Sequence, residues 1–204
     1  MKNKTKKGLL PIFLGILLLA CAALLTAHNV RADRSAQESV RTVLEQMDSV
    51  PTTQRNTAVL PALPAYMQYP EMEMPVRVID GREYIGVIEL PSLSLTLPVL
   101  SELTAVNLTV SPCRYVGSAY LDNLVIAAHN YTSHFARLRD LAYGDTVIFT
   151  DVDGNVFTYE VAQIEMLAPT QVNEMTDGDW PLSLFTCTYG GGARVTVRCE
   201  KTEN

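Results

Sequence analysis

The stretch SLFTCTYGGGARVTVRCE, Ser183–Glu200, places two strand-like runs around a glycine-rich turn. A cysteine, Cys187, ends the first run, and Arg194 opens the second seven residues later. Strand side chains alternate between faces, so Arg194, Thr196 and Arg198 share one face while Val195, Val197 and Cys199 share the other, which is the buried one. Cys187 on its own reads as a packed apolar thiol, a metal or disulfide partner, or a nucleophile. Gly190–Gly192 is either a plain flexible turn or a place where backbone comes close to a ligand. Arg194 sits nearest the Cys187 end and offers up to five donors that do not deprotonate, which suits an oxygen gaining charge during attack. Arg198 is the alternative donor, but it lies farther along and reads more easily as a solvated face residue. Cys199 reads as structural, alone or paired with Cys113.

Working outward, the chain from about Val76 is a series of short strands. YIGVIELPSL (84–93) and SLTLPVL (94–100) are apolar runs punctuated by Pro91 and Pro98, and NLVIAAHN (123–130) is a buried strand ending in polar residues. HFARLRDL (134–141) spaces Phe135, Leu138 and Leu141 as one or two helical turns. Asp145–Leu167 forms two strands around Asp153-Gly154. Its Asp-Val-Asp-Gly-Asn run lacks the spacing and terminal glutamate of a calcium loop, so it reads as a hairpin turn. Seven or eight strands with little helix fit a closed or partly closed barrel, hence an all-β domain over 76–204.

The other end is different in kind. Leu9–Ala27 carries no charged residue, and 19 helical residues reach roughly 28 Å, about the hydrocarbon thickness of a bilayer. Lys2, Lys4, Lys6 and Lys7 make residues 1–8 a basic tail that stays on the cytoplasmic side, so 9–27 is expected to anchor an outward-facing domain. A cleaved signal peptide is the alternative, and a lipoprotein cysteine at Cys21 fits less well because the apolar run continues past it. Residues 28–75 read as an extracellular juxtamembrane helix and a proline-rich arm. Ser35 and Glu38 fit a capping box, with Val40, Val43, Leu44 and Met47 at helical spacing. Pro51, Pro61, Pro64, Pro70 and Pro75 mark irregular structure, open to reading as a linker or a cover.

Of the 16 basic residues, four are those N-terminal lysines; the remaining 12 face 22 acidic ones, a balance of −10. That disfavours nucleic acid as a partner. Cys113, Cys187 and Cys199 lie outside the apolar segment, an odd number, with no CxxC pair or Cys/His cluster, so neither a metal site nor a cofactor is expected. His129 ends an apolar strand, where a half-buried imidazole is sensitive to its neighbours. His134 reads as a surface or loop residue.

At this point the chain resembles the sortases, membrane-anchored cysteine transpeptidases of bacterial surfaces. Their Thr-Leu-x-Thr-Cys signature, followed by an arginine on the next strand, stands here as SLFTC and Arg194, with Ser183 replacing the first threonine. Their histidine follows a hydrophobic strand, here VIAAHN with His129. HFARLRDLAYGD is similar to their Phe-x-x-Leu-x-x-Leu-x-x-Gly-Asp segment, and the resemblance covers about 82–200. It implies an eight-stranded barrel with the site at its rim, Cys187 as nucleophile, His129 as acid and base, and Arg194 on the oxyanion. It implies as partners a Leu-Pro-x-Thr-Gly-like sorting signal and an amine of a cell-wall precursor or pilin. Thr186, Thr170, Val172 and Met175 are candidate groove residues. With no lid motif and no apolar segment after the barrel, anchoring to the wall fits better than pilus polymerisation. A tethered scaffold with a degenerate site is the competing reading, motivated by Ser183, the triple glycine and the proline-rich arm.

Overall fold

The structure is a computed structural model and describes residues 6–48 and 63–202. Helix α1 runs Lys6–Asp48, followed by the one-turn α2 (Ala65–Gln68). Strands β1 (Arg77–Ile79), β2 (Arg82–Leu90) and β3 (Leu95–Leu100) precede α3 (Ala105–Leu108). Then come β4 (Cys113–Val116), β5 (Leu124–Ala128), β6 (Thr146–Asp151), β7 (Val156–Leu167), α4 (Val172–Thr176), β8 (Leu182–Cys187) and β9 (Arg194–Lys201).

Around the sheet the order is β1-β2-β3-β4-β5-β8-β9-β7-β6, and β6 pairs back onto β2. That last pairing closes β2 to β9 into an eight-stranded barrel, and β1 extends β2 at one edge. Closure depends on Gly86. It lies where the β2–β3 register slips and faces Asp151 of β6. A Cβ there would stand 2.2 Å from the Thr150 carbonyl oxygen, so only glycine lets the two backbones meet.

Period-two alternation fills the barrel. Leu124, Ile126 and Ala128 of β5, Leu182 and Leu184 of β8, and Val195, Val197 and Cys199 of β9 share one core with Ile88, Leu97 and Phe149. The opposite face of the same strands is also covered. Val125 packs there with Leu167 and Met175, and Phe185 lies against them. The connection from β7 to β8, carrying α4, supplies that cover. For this reason Arg198 is 2% exposed rather than the solvated residue expected from strand period alone.

Two further expectations change, and one open choice closes. Helix α1 does not restart at Ser35; no glycine or proline interrupts the chain from His28 to Asp48, and Ser35 sits mid-helix, its carbonyl accepting from Ser39 Oγ. Ala36, Val40 and Val43 of α1 are buried, so its C-terminal half is part of the domain's packing. His134 is fully buried, not a surface residue. Cys113 and Cys199 are free thiols in separate core clusters. Residues 51–62 of the proline-rich arm lie outside the described residues; past them, Tyr66 of α2 stacks on Tyr120 at 4.7 Å, and Met74 joins the core. The Asp151–Asn155 segment is a hairpin turn: Asp151 Oδ1 accepts from the backbone N–H of Asp153 and Asn155, each at 2.9 Å.

Candidate functional site

The sheet order puts β5, β8 and β9 side by side. β5 and β8 are parallel with Ala128 beside Thr186, so the next residue on each, His129 and Cys187, leaves the barrel at the same end. β8 and β9 are antiparallel with Cys187 opposite Arg194. Since Leu184 and Val195 point into the barrel, Cys187 and Arg194 fall on its outer face by alternation, as does His129, one residue past inward-facing Ala128. Register alone therefore brings together three residues that are up to 65 positions apart in the sequence.

Local bonds hold this corner. Thr186 is buried and its Oγ1 donates to the Ala128 carbonyl at 2.9 Å, locking β8 to β5 one residue before both side chains. The His129 carbonyl accepts from Phe135 N–H at 3.2 Å, and Phe135 is fully buried. The turn after Cys187 is closed by Thr188, whose N–H donates to the Ala193 carbonyl at 2.9 Å and whose Oγ1 accepts from Ala193 N–H at 3.0 Å. Gly190 and Gly191 carry φ of 82° and 74°, values that L side chains adopt only under strain, so this turn calls for glycine. Arg194 Nη1 donates to the Gly191 and Ala193 carbonyls at 3.3 Å each, which leaves its other donors for a ligand.

Beside Cys187 and Arg194 lies a groove of about 220 Å³. Its walls include Tyr115, Ala127, Val172, Met175 and Phe185, an apolar lining that Cys187 and Arg194 complete. Val172 and Met175 thus border the groove. Thr170 and Thr186 do not: Thr170 is exposed on the connecting loop, and Thr186 points inward to its bond with Ala128. Tyr115 and Phe185, in edge-to-face contact at 5.4 Å, are groove residues that sequence reading missed. Phe185 had a signal, since it shares a strand face with Cys187; Tyr115 comes from a distant strand.

Desolvation lowers the pKa of His129 and favours its neutral imidazole. Tyr131 lies 4.8 Å from it, ring to ring. Burial pushes the Cys113 and Cys199 thiols up to about 12 each, which makes them poor nucleophiles beside the half-buried Cys187.

Arg198 ties the groove wall to the barrel. Its Nε donates to Glu165 Oε1 at 2.8 Å, and Nη1 donates to Ser183 Oγ and to the Met175 carbonyl at 2.9 Å each. Nη2 donates to the Glu174 carbonyl. Ser183, the residue that departs from the threonine of the signature, is thus a direct partner of this guanidinium.

The closed barrel thus carries a cysteine, a histidine and an arginine at the ends of three adjacent strands on one rim. The chain belongs to the sortase family: the family model described as Sortase domain matches residues 88–202. It is 30% identical over 118 residues to Sortase A of Bacillus anthracis, covering 53% of this chain and 54% of that protein. The chain therefore spans about half the length of the curated relative it matches. Among solved structures it is similar to Clostridium perfringens sortase C with its C-terminal cell wall sorting motif, at a TM-score of 0.58 and 20% identity over 82% of this chain and 99% of the other. Sortase A from Corynebacterium diphtheriae gives 0.52 at 19%, over 84% and 85%. At such identities the structural likeness speaks for the fold. Among the described residues, one helix, near the N-terminus, is long and apolar enough to cross a membrane.

Proposed function

We propose that the chain is a cysteine transpeptidase that cleaves a sorting signal and passes the freed acyl group to an amine. The observation that carries this reading is the strand register that brings Cys187, His129 and Arg194 to one end of the barrel, with Cys187 and Arg194 lining an apolar groove. Cys187 Sγ attacks the scissile carbonyl carbon as its proton passes to the neutral imidazole of His129. The oxyanion so formed accepts from the free donors of Arg194. His129, protonated for this step, gives a proton to the departing amine as the C–N bond breaks, leaving a thioester. The incoming amine then gives up a proton to neutral His129, attacks the thioester carbonyl and expels Cys187 sulfur. One hard exchange becomes two easier ones.

The groove's apolar walls suit the leucine and proline side chains of a Leu-Pro-x-Thr-Gly-like signal, with the scissile carbonyl at the Cys187 end. The acceptor is the amine of a cell-wall precursor or a pilin, and both substrates are presented outside the cell. The apolar part of α1 anchors the protein with its basic N-terminus cytoplasmic. The test is a peptide exchange assay: a signal peptide plus an oligoglycine amine should give a joined product with wild type. Cys187→Ala should give none, and His129→Ala and Arg194→Ala should give at least a hundredfold less, the loss expected from removing a proton-transfer group or an oxyanion donor. Binding of the peptide without exchange would favour the scaffold reading.

A further inference from the structure

Helix α1 does more than lead to the barrel. Asp33 Oδ1 accepts from Ser133 N–H at 3.0 Å and from Ser133 Oγ at 2.7 Å, a contact between residues 100 apart in sequence. Ser133 lies in the loop that follows His129. That loop makes one tight turn, in which the Tyr131 carbonyl accepts from His134 N–H and Ala136 N–H at 3.0 Å each, and Phe135 N–H returns to the His129 carbonyl. The leading N–H groups of such a turn have no partner within it, and a side-chain oxygen placed as Asp33 is satisfies one. Asp33 is itself held, because Ala36 and Val40 in the next turns of α1 are buried against the barrel.

His129 is therefore fixed from two sides. Upstream, Thr186 Oγ1 holds the Ala128 carbonyl. Downstream, the turn is held by buried Phe135 and by a carboxylate from the anchor helix. We propose that Asp33 is a positioning residue for His129, so that the anchor helix is a working part of the catalytic rim. This rests on the transpeptidase reading for its effect on rate, and on geometry alone for its effect on the loop. In the anchored orientation proposed above, Asp33 stands six residues beyond Ala27, about 9 Å along a helix. The His129 side of the rim then lies beside the lipid headgroup layer, which is roughly 5–8 Å deep.

The full chain in detergent or nanodiscs tests this with two readouts, amide hydrogen exchange over residues 130–137 and steady-state exchange kinetics with a signal peptide. In Asp33→Ala, losing a bond to a charged acceptor should speed Ser133 exchange about tenfold or more and lower kcat by about tenfold, with KM within about twofold of wild type. Asp33→Asn keeps an acceptor oxygen and should recover most of both. Unchanged exchange in Asp33→Ala, or faster exchange with unchanged kcat, would overturn the proposal. Faster exchange throughout the barrel would also overturn it, by showing a general structural role. Ser133→Ala, which keeps its N–H bond and loses only the hydroxyl contacts to Asp33 Oδ1 and the Asp33 carbonyl, is the milder variant should Asp33→Ala fail to fold; it should give smaller changes of the same kind. No exchange product from the wild-type chain would sink the transpeptidase reading, and the exchange data would still decide whether Asp33 braces the loop.

Discussion

Arg198→Met is the perturbation with the most to say about how the groove is built. The arginine side chain is 3% exposed and Glu165 is 27% exposed, so the pair is dry on one side and wetted on the other. Methionine matches the stem and removes every donor. Glu165 can then turn to water, but Ser183, at 1% exposure, loses a donor, and the Met175 and Glu174 carbonyls lose theirs. Breaking a buried pair by removing one partner costs about 3–5 kcal/mol, and rehydration of Glu165 argues for the lower end, about 3 kcal/mol. For a domain of this size that corresponds to a fall in Tm of roughly 10 °C. Since two of the lost bonds end on α4, which gives Val172 and Met175 to the groove, peptide KM should rise as well. Ser183→Ala should cost about 1–2 kcal/mol, and the double variant less than the sum, because both remove one shared bond. Thermal melting and peptide kinetics read these quantities. A Tm within about 2 °C of wild type, with KM unchanged, would refute the reasoning that Arg198 holds the groove wall.

Two more outcomes follow from burial. His134 has no hydrogen-bond partner for either ring nitrogen among the described residues, and desolvation lowers its pKa to about 4, opposed by the Val110 carbonyl and Asp33 and assisted by His129. The unfolded chain, titrating near 6.5, binds more protons in that window, so stability falls as pH drops from about 6.5 to about 4, by about 3 kcal/mol in all. Denaturant melts across that range should show the slope, and His134→Leu should flatten it; an equal slope in the variant would assign it elsewhere. Second, maleimide labelling of the folded domain without its apolar segment should modify Cys187 well before Cys113 or Cys199, whose thiols are buried and held up to about 12. Equal rates would contradict the burial assigned to those two.

The barrel was legible because its strands advertise themselves. LVIAA (124–128) is wholly apolar, Val195, Val197 and Cys199 alternate with polar residues, and proline and glycine mark the breaks. The hairpin register even follows from the turn, since Cys187 opposite Arg194 puts Ser183 opposite Arg198. What stayed hidden is long-range. Whether the Arg198 face meets water depends on α4, which comes from another connection, so alternation could not tell a buried arginine from a solvated one. The burial of His134 depends on α1 lying over its loop. The capping-box pattern at Ser35 is local, and a sequence free of breakers carries the helix straight through it. Tyr115 and Asp33 act across the chain and leave no mark in their own neighbourhoods.

The most direct test of the account is intact mass spectrometry of the protein after incubation with Leu-Pro-x-Thr-Gly-type peptides, before and after adding an oligoglycine amine. The account predicts a mass gain equal to the acyl fragment on wild type, absent from Cys187→Ala, and lost on adding the amine as the joined peptide appears. An adduct that persists in Cys187→Ala, or peptide bound at saturation with no adduct and no joined product, would contradict it.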